Sequence, residues 1–171
     1  MGSNQQHLEI EVIARALILD EGRVLLCRSV RGGYTYLPGG HVEPGEPAVA
    51  AAARELKEEA GLRAVMGRGA LITEEHFEVS TNRGSERHHE LNFVFHVEQV
   101  FGPDGGEAIR AGDPVASRES HIEFVWADLA SLHDLDLRPA SIRAWLMSGG
   151  ASSDLPAVPV VLTGGAGAGA I

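Results

Sequence analysis

A chain of 171 residues, 44% hydrophobic and 22% charged, can bury one good core and has the balance of a globular domain. Its net charge of −10 argues against unspecific binding to nucleic acid or an anionic membrane, so an anionic ligand must be drawn in locally. The single Cys27 excludes an internal disulfide and suits a reducing cytoplasm, no apolar run approaches the length of about 18 residues that spans a membrane, and the polar start MGSNQQHLEIE is no signal peptide.

The first apolar, β-rich run is Leu8–Leu19. Asp20-Glu21-Gly22 supplies turn chemistry and Arg23–Ser29 follows as a second strand, so a hairpin is expected. Within RVLLCRS, Cys27 reads as a buried structural thiol. Val30–Tyr36 is a glycine-containing loop that delivers the chain to Leu37-Pro38-Gly39-Gly40. Arg28 and Arg31 lie just upstream of that turn, either gripping a substrate phosphate or standing as solvated arginines.

A helix is predicted over about Pro47–Ala60. Pro47 suits a first turn, Gly61 suits the left-handed residue past a helix end, and alanines, Arg54, Leu56 and Lys57 between them are good helix formers. At 100° per residue Val49, Ala53, Leu56 and Ala60 form a narrow stripe for burial. Glu55, Glu58 and Glu59 crowd another sector, where they repel one another. A hard cation would neutralise that repulsion, since Mg²⁺ takes carboxylate, water and phosphate oxygens. The small Ala48, Ala51 and Ala52 leave room for a close neighbour, and Pro38-Gly39-Gly40 is the nearest; glycines let main-chain groups approach a metal or phosphate without a Cβ in the way.

Beyond the helix, Ala64–Val79 reads as a long, bulged strand and Glu90–Val100 as its partner, with Ser80–Arg87 as a polar loop between them. Phe101–Ser120 is a long glycine- and proline-rich loop, a length that points to a task. His121–Trp126 is a short strand, Asp128 starts a helical turn, and Pro139–Met147 is amphipathic with Ile142, Trp145 and Leu146 on one side. Residues 1–147 thus form one domain, and 148–171, rich in Gly, Ala, Ser and Pro, read as a flexible tail with little to bury. None of the eight histidines has metal-ligand spacing on a helix, and the adjacent His88 and His89 would point to opposite faces of a strand.

The spacing Gly40, five residues, Glu46, seven residues, Arg54-Glu55-Leu56, one residue, Glu58-Glu59, one residue, Gly61-Leu62 matches every fixed position of the Nudix box. From Glu9 to Met147 the sequence resembles the Nudix (MutT-like) hydrolase family. That resemblance implies an α/β/α sandwich with a mixed sheet between helices. It also implies hydrolysis of a nucleoside diphosphate linked to another moiety, by attack of water on phosphorus with divalent metal, Mg²⁺ or Mn²⁺.

Carried over by motif position, Glu55, Glu58 and Glu59 are metal ligands and the Gly39 carbonyl completes their shell. Glu55 is a further candidate to orient or deprotonate the water. Arg54 and Glu46 are expected to pair and fix the geometry. Family members that take a base from a distant loop point to Glu119, with Glu90 as runner-up. Gly40 and Phe77 are candidates to contact substrate, Phe77, Tyr34 or Tyr36 by stacking on a base.

In His76-Phe77-Glu78-Val79-Ser80 the chain lacks the proline of ADP-ribose enzymes and the tyrosine of diadenosine polyphosphate enzymes. A small soluble nucleotide, such as a nucleoside di- or triphosphate, is therefore the expected partner. ADP-ribose, another nucleotide sugar, or binding without cleavage are the alternatives. A homodimer is compatible with the family, and an RNA substrate is disfavoured by the acidic balance.

Overall fold

The first apolar run does not form a simple hairpin, because it changes sheets at Ile18. The computed structural model describes residues 9–81, 84–150 and 160–163. In it, strand β1 (Ile10–Leu17) joins a larger sheet, while β2 (Leu19–Asp20) joins a smaller one with β3 (Arg23–Ser29). Only the pairs Leu19↔Val24 and Asp20↔Arg23 form the expected hairpin ladder. The rest of the run is long enough to serve a second sheet, and β1 runs parallel to β7 (Gly84–Phe101).

The larger sheet has the order β5 (Gly39–His41), β1, β7, β6 (Arg63–Thr81), β9 (Val160–Thr163). β1–β7 and β6–β9 are parallel and the other pairs antiparallel, so the sheet is mixed. In the smaller sheet β3 is flanked by β8 (Ile122–Asp128), with β4 (Thr35–Tyr36) and β2 completing it. Helix α1 (Ala48–Ala60) packs on one side and the short α2 (Ala140–Trp145) on the other. The result is the expected α/β/α arrangement.

Two core regions lie on opposite sides of the sheets. On the α2 side Leu17, Val24, Leu26, Leu71 and Val94 meet Ile142, Trp145 and Leu146, the apolar face read from Pro139–Met147. On the α1 side Leu56, Ala60 and Leu62 meet Ala16, Ile18 and Leu25.

Helix α1 has Pro47 as its N-cap and ends at Gly61, whose φ of 72° is the expected left-handed cap. Its buried face differs from the narrow stripe read in sequence. Leu56 and Ala60 are buried, but Val49 and Ala53 are only partly so, while Ala51, Ala52 and Glu59 are buried instead. The cause is the closeness of β1 and β5: Ala14 packs against Ala51 and Ala52, a contact only small side chains permit.

β6 carries the expected bulges, with register shifts between Val65 and Leu71. Its partner is longer than expected. Pairing continues to Thr81↔Gly84, so most of the predicted Ser80–Arg87 loop is strand; Asn82 lies outside the described residues. In the segment expected as a flexible tail, Val160–Thr163 pairs with β6 from Leu71 to Glu74, and 151–159 and 164–171 lie outside the described residues.

Because Leu56 is fully buried between α1 and the sheet, Leu56→Ala should cost about 3 kcal/mol, or about 2–4 °C of Tm for each kcal/mol. Thermal unfolding followed by circular dichroism in EDTA checks this; an unchanged Tm would mean that α1 is not packed here.

Candidate active site

The carboxylates of α1 face the Gly39–Gly40 turn across a gap with no spare room. Gly39 has a φ of 136°, and a Cβ there would come within 2.0 Å of the Ala14 carbonyl oxygen, so no side chain fits. At Gly40 a Cβ would lie 2.7 Å from the Glu55 carboxylate. The turn therefore brings its main chain directly against Glu55.

Glu59 is 6% exposed, and its Oε2 is buried without a hydrogen-bond partner. Burial and then the neighbouring Glu55 charge push its pKa up to about 7, with Glu119 adding in the same direction. Arg15 and a hydrogen bond from the Gly39 N–H oppose the shift. A buried carboxylate with an unused oxygen, crowded by a second carboxylate, is a poor place for bulk charge and a good one for a divalent cation. The residues fit an oxygen-ligated ion of the Mg²⁺ class.

One arginine holds the carboxylates and a second holds the main chain they face. Arg54 takes Glu46 through Nη2 at 2.8 Å and Nε at 3.3 Å. Its Nη1 donates to Glu55 at 2.9 Å and to Glu58 at 3.0 Å, and Nη2 also donates to the His41 carbonyl. The hydrogen bond to Glu46 leads in raising the Arg54 pKa, and the same bond leads in lowering that of Glu46. This is the fork expected from sequence, extended to two of the box glutamates.

Arg15 is the second, and the sequence reading passed over it. Its Nη1 donates to the Gly39 carbonyl at 3.2 Å and the Leu37 carbonyl at 3.3 Å, and its guanidinium lies 5.5 Å from the Tyr36 ring centre. Its Nε donates to buried Asn92, whose amide donates to Glu90, the runner-up base, at 3.1 Å. The available signal was an arginine inside the apolar run from Val12 to Leu17, two residues before a buried leucine.

Glu119 reaches the site from the far end of the long loop. The Arg118 N–H donates to the Glu59 carbonyl at 2.6 Å, and the Arg118 guanidinium donates to the Lys57 carbonyl at 3.2 Å over Gly61. This caps the C-terminus of α1 with a cation and sets Glu119 beside the carboxylates. The Glu119 carboxylate is 3.1 Å from His121 Nε2. Cys27 is buried beneath the site, as expected; burial, then the charge of Glu59, pushes its thiol pKa well up, so it is no nucleophile.

Residues 10–146 match the family model for the NUDIX domain. The chain belongs to the Nudix family. No curated protein matches it significantly. Its fold is similar to a MutT protein from Methanosarcina mazei Go1, with 26% identity, 83% of this chain and 94% of that one covered, and a TM-score of 0.61. It is also similar to a mutator MutT protein from Bacillus halodurans, with 18% identity, 85% of each chain covered and a TM-score of 0.63. For the Escherichia coli ORF135 protein the identity is 22%, the coverage 84% and 91%, and the TM-score 0.59. The protein is thus a Nudix pyrophosphohydrolase of nucleoside diphosphate-linked compounds, a family that generally uses divalent metals.

The remaining residues read from sequence are not all brought to the Nudix glutamates. Arg28 follows Cys27 on β3 and so points to the opposite face, where it lies 3.9 Å from Glu123. Arg31 is exposed in the turn between β3 and β4. Phe77 stacks on His88 at 5.0 Å between ring centres; strand pairing puts both on the sheet face that carries Asn92. Tyr34 lies under the Arg138 guanidinium, 4.5 Å from it.

The folded Glu59 pKa of about 7 lies above its ordinary value of 4.5, so the native state holds the proton more tightly and loses stability as pH rises between those values. At pH 8 the metal-free Glu59→Gln variant should be more stable than wild type by about 1–3 kcal/mol. It should also lose the rise in Tm that Mg²⁺ gives the wild type. Calorimetry with and without Mg²⁺ reads both, and a Glu59→Gln variant still stabilised by Mg²⁺ would remove Glu59 from the metal site. Gly40→Ala needs no unusual backbone, so it should fold normally while displacing Glu55 and weakening the Mg²⁺ effect at least tenfold in concentration.

Proposed function

We propose that this Nudix enzyme hydrolyses small nucleotides, with nucleoside di- or triphosphates as its preferred class, in a Mg²⁺- or Mn²⁺-dependent reaction. The observation that carries this reading is the buried, unpartnered Glu59 Oε2 beside Glu55, facing β5 at Gly39 where no Cβ fits. Glu55, Glu58, Glu59 and the Gly39 carbonyl would hold the ions. Bound there, divalent cations would neutralise the pyrophosphate and ease attack on phosphorus.

The chain's own residues divide the remaining work. Water adds to one phosphorus, the bridging P–O bond breaks, and the water proton passes to a carboxylate. Glu119, on a loop latched to α1, is our candidate to receive that proton, and Glu55 is the alternative. Arg54 is a positioning residue: its fork to Glu46 sets Glu55 and Glu58 at fixed distances. Arg15, tied to the Gly39 carbonyl and stacked near Tyr36, would turn toward phosphate once a metal takes that carbonyl. Gly40 leaves the space that the Glu55 carboxylate fills.

The net charge of −10 disfavours a polyanionic polymer, which favours a small nucleotide. Phe77 stacked on His88 is a ready platform for a base. The lone buried Cys27 suits work in the reducing cytoplasm.

Phosphate or pyrophosphate release should be measured over nucleoside di- and triphosphates, ADP-ribose, dinucleoside polyphosphates, NADH and coenzyme A. Wild type with Mg²⁺ should turn over a nucleoside di- or triphosphate fastest, and Glu59→Gln should lower kcat by at least about a thousandfold. Glu119→Gln should lower kcat about a hundredfold with little change in KM, in line with loss of a general base. ADP-ribose as the best substrate would replace the substrate class. Binding of a nucleotide without turnover of any compound would overturn the catalytic reading.

A further inference from the structure

Away from the Nudix glutamates, strand pairing assembles a second ligand set. His76 on β6 is paired directly with His89 on β7, and Glu74 stands two residues before His76 on the same face. The nearest ligand atoms of Glu74, His76 and His89 all lie within 4.8 Å of one another. His89 Nε2 is 2.9 Å from Glu74 Oε1, and the two imidazole rings are 4.1 Å apart at 31°. We propose that Glu74, His76 and His89 form a binding site for a borderline transition-metal ion of the Zn²⁺ class, separate from the catalytic carboxylates.

The donor set decides the class of ion. Two imidazoles and one carboxylate suit zinc and its neighbours, whereas Mg²⁺ takes oxygen donors. Tetrahedral zinc with bonds of about 2.0–2.1 Å separates its ligands by about 3.3 Å, so the three groups need to close by little more than an ångström. Side-chain rotation would supply that: His76 is exposed, and Glu74 and His89 are part-buried. Three protein ligands leave a fourth position for water.

Glu11 makes a useful contrast, because it also meets two histidines, His41 at 2.9 Å and His88 at 2.7 Å. Each takes a different carboxylate oxygen, so Glu11 bridges two rings that it keeps apart. The Glu74 group instead brings one ligand atom from each of its three residues within 4.8 Å of the others. The site also lies where the hairpin needs help. Glu75 and Glu90, one residue along, are directly paired like charges, which destabilise a ladder. A cation bridging β6 and β7 beside them offsets that repulsion and stiffens the strands that present Phe77 and His88 on the opposite face.

Zinc content after equilibrium dialysis in excess Mg²⁺ tests this, with Co²⁺ absorption as an independent reading of the donor set. Wild type should keep one Zn²⁺ per chain and give the intense visible bands of four-coordinate Co²⁺. Glu59→Gln should do the same, which separates this site from the catalytic one. His76→Ala and His89→Ala should each weaken zinc at least tenfold and abolish the Co²⁺ bands, while His88→Ala, on the opposite face, should not. His76 is exposed, so its variant folds even where the His89 variant does not. No zinc retained by wild type in excess Mg²⁺, or full retention in His76→Ala, would overturn the proposal and leave an ordinary histidine pair on a hairpin.

Discussion

The structure turns on a carboxylate that a folded protein would not bury for its own sake. Glu59 is shut between α1, the Gly39–Gly40 turn and the floor around Cys27, with one oxygen unpartnered. Burying a charge without a partner is among the costlier acts in folding. The close alanine contacts with Ala14, the forbidden Cβ at Gly39 and the small separation at Gly40 all keep it there. Packing of an apolar helix face thus holds together a charge arrangement that would otherwise relax by moving apart.

Arginines set the boundary of that charge. Arg54 works from the solvent side, fixing Glu46, Glu55 and Glu58 together, and leaves Glu59 alone. Arg15 works from the sheet side, through carbonyls and Asn92. Arg118 closes the end of α1 and in doing so anchors the loop that carries Glu119. Arg54 takes part of the charge of Glu55, while Glu59 keeps a buried oxygen without a partner. Under the proposed function, such a site would favour substrate that arrives with divalent metal.

Much of this was legible because it is local. The helix, its Gly61 cap, the three glutamates on one sector and the Arg54–Glu46 fork depend on residues within a single short window, where spacing alone sets geometry. The long-range parts were harder. Arg15 looked like an exception in an apolar strand, since its partners lie 22 to 77 positions away. The reach of the β6–β7 ladder was underestimated because Ser80–Arg87 is polar, yet an exposed antiparallel ladder tolerates polar residues on both faces. That error hid the His76–His89 pair, which exists only once the register is known. Glu119 was a candidate only through the family resemblance; what the structure adds is that the long loop carrying it is tied to the end of α1 through Arg118.

The acidic surface then acquires a consequence. With a net charge of −10, the protein repels a bare polyphosphate at long range. A nucleotide already carrying Mg²⁺ has had about half of a triphosphate's charge neutralised and meets a smaller barrier. The same repulsion that disfavours nucleic acid and membranes would therefore select the metal-complexed form of a small substrate. Under the proposed mechanism, substrate selection and metal dependence have one origin: carboxylates held too close together to be satisfied by the protein alone.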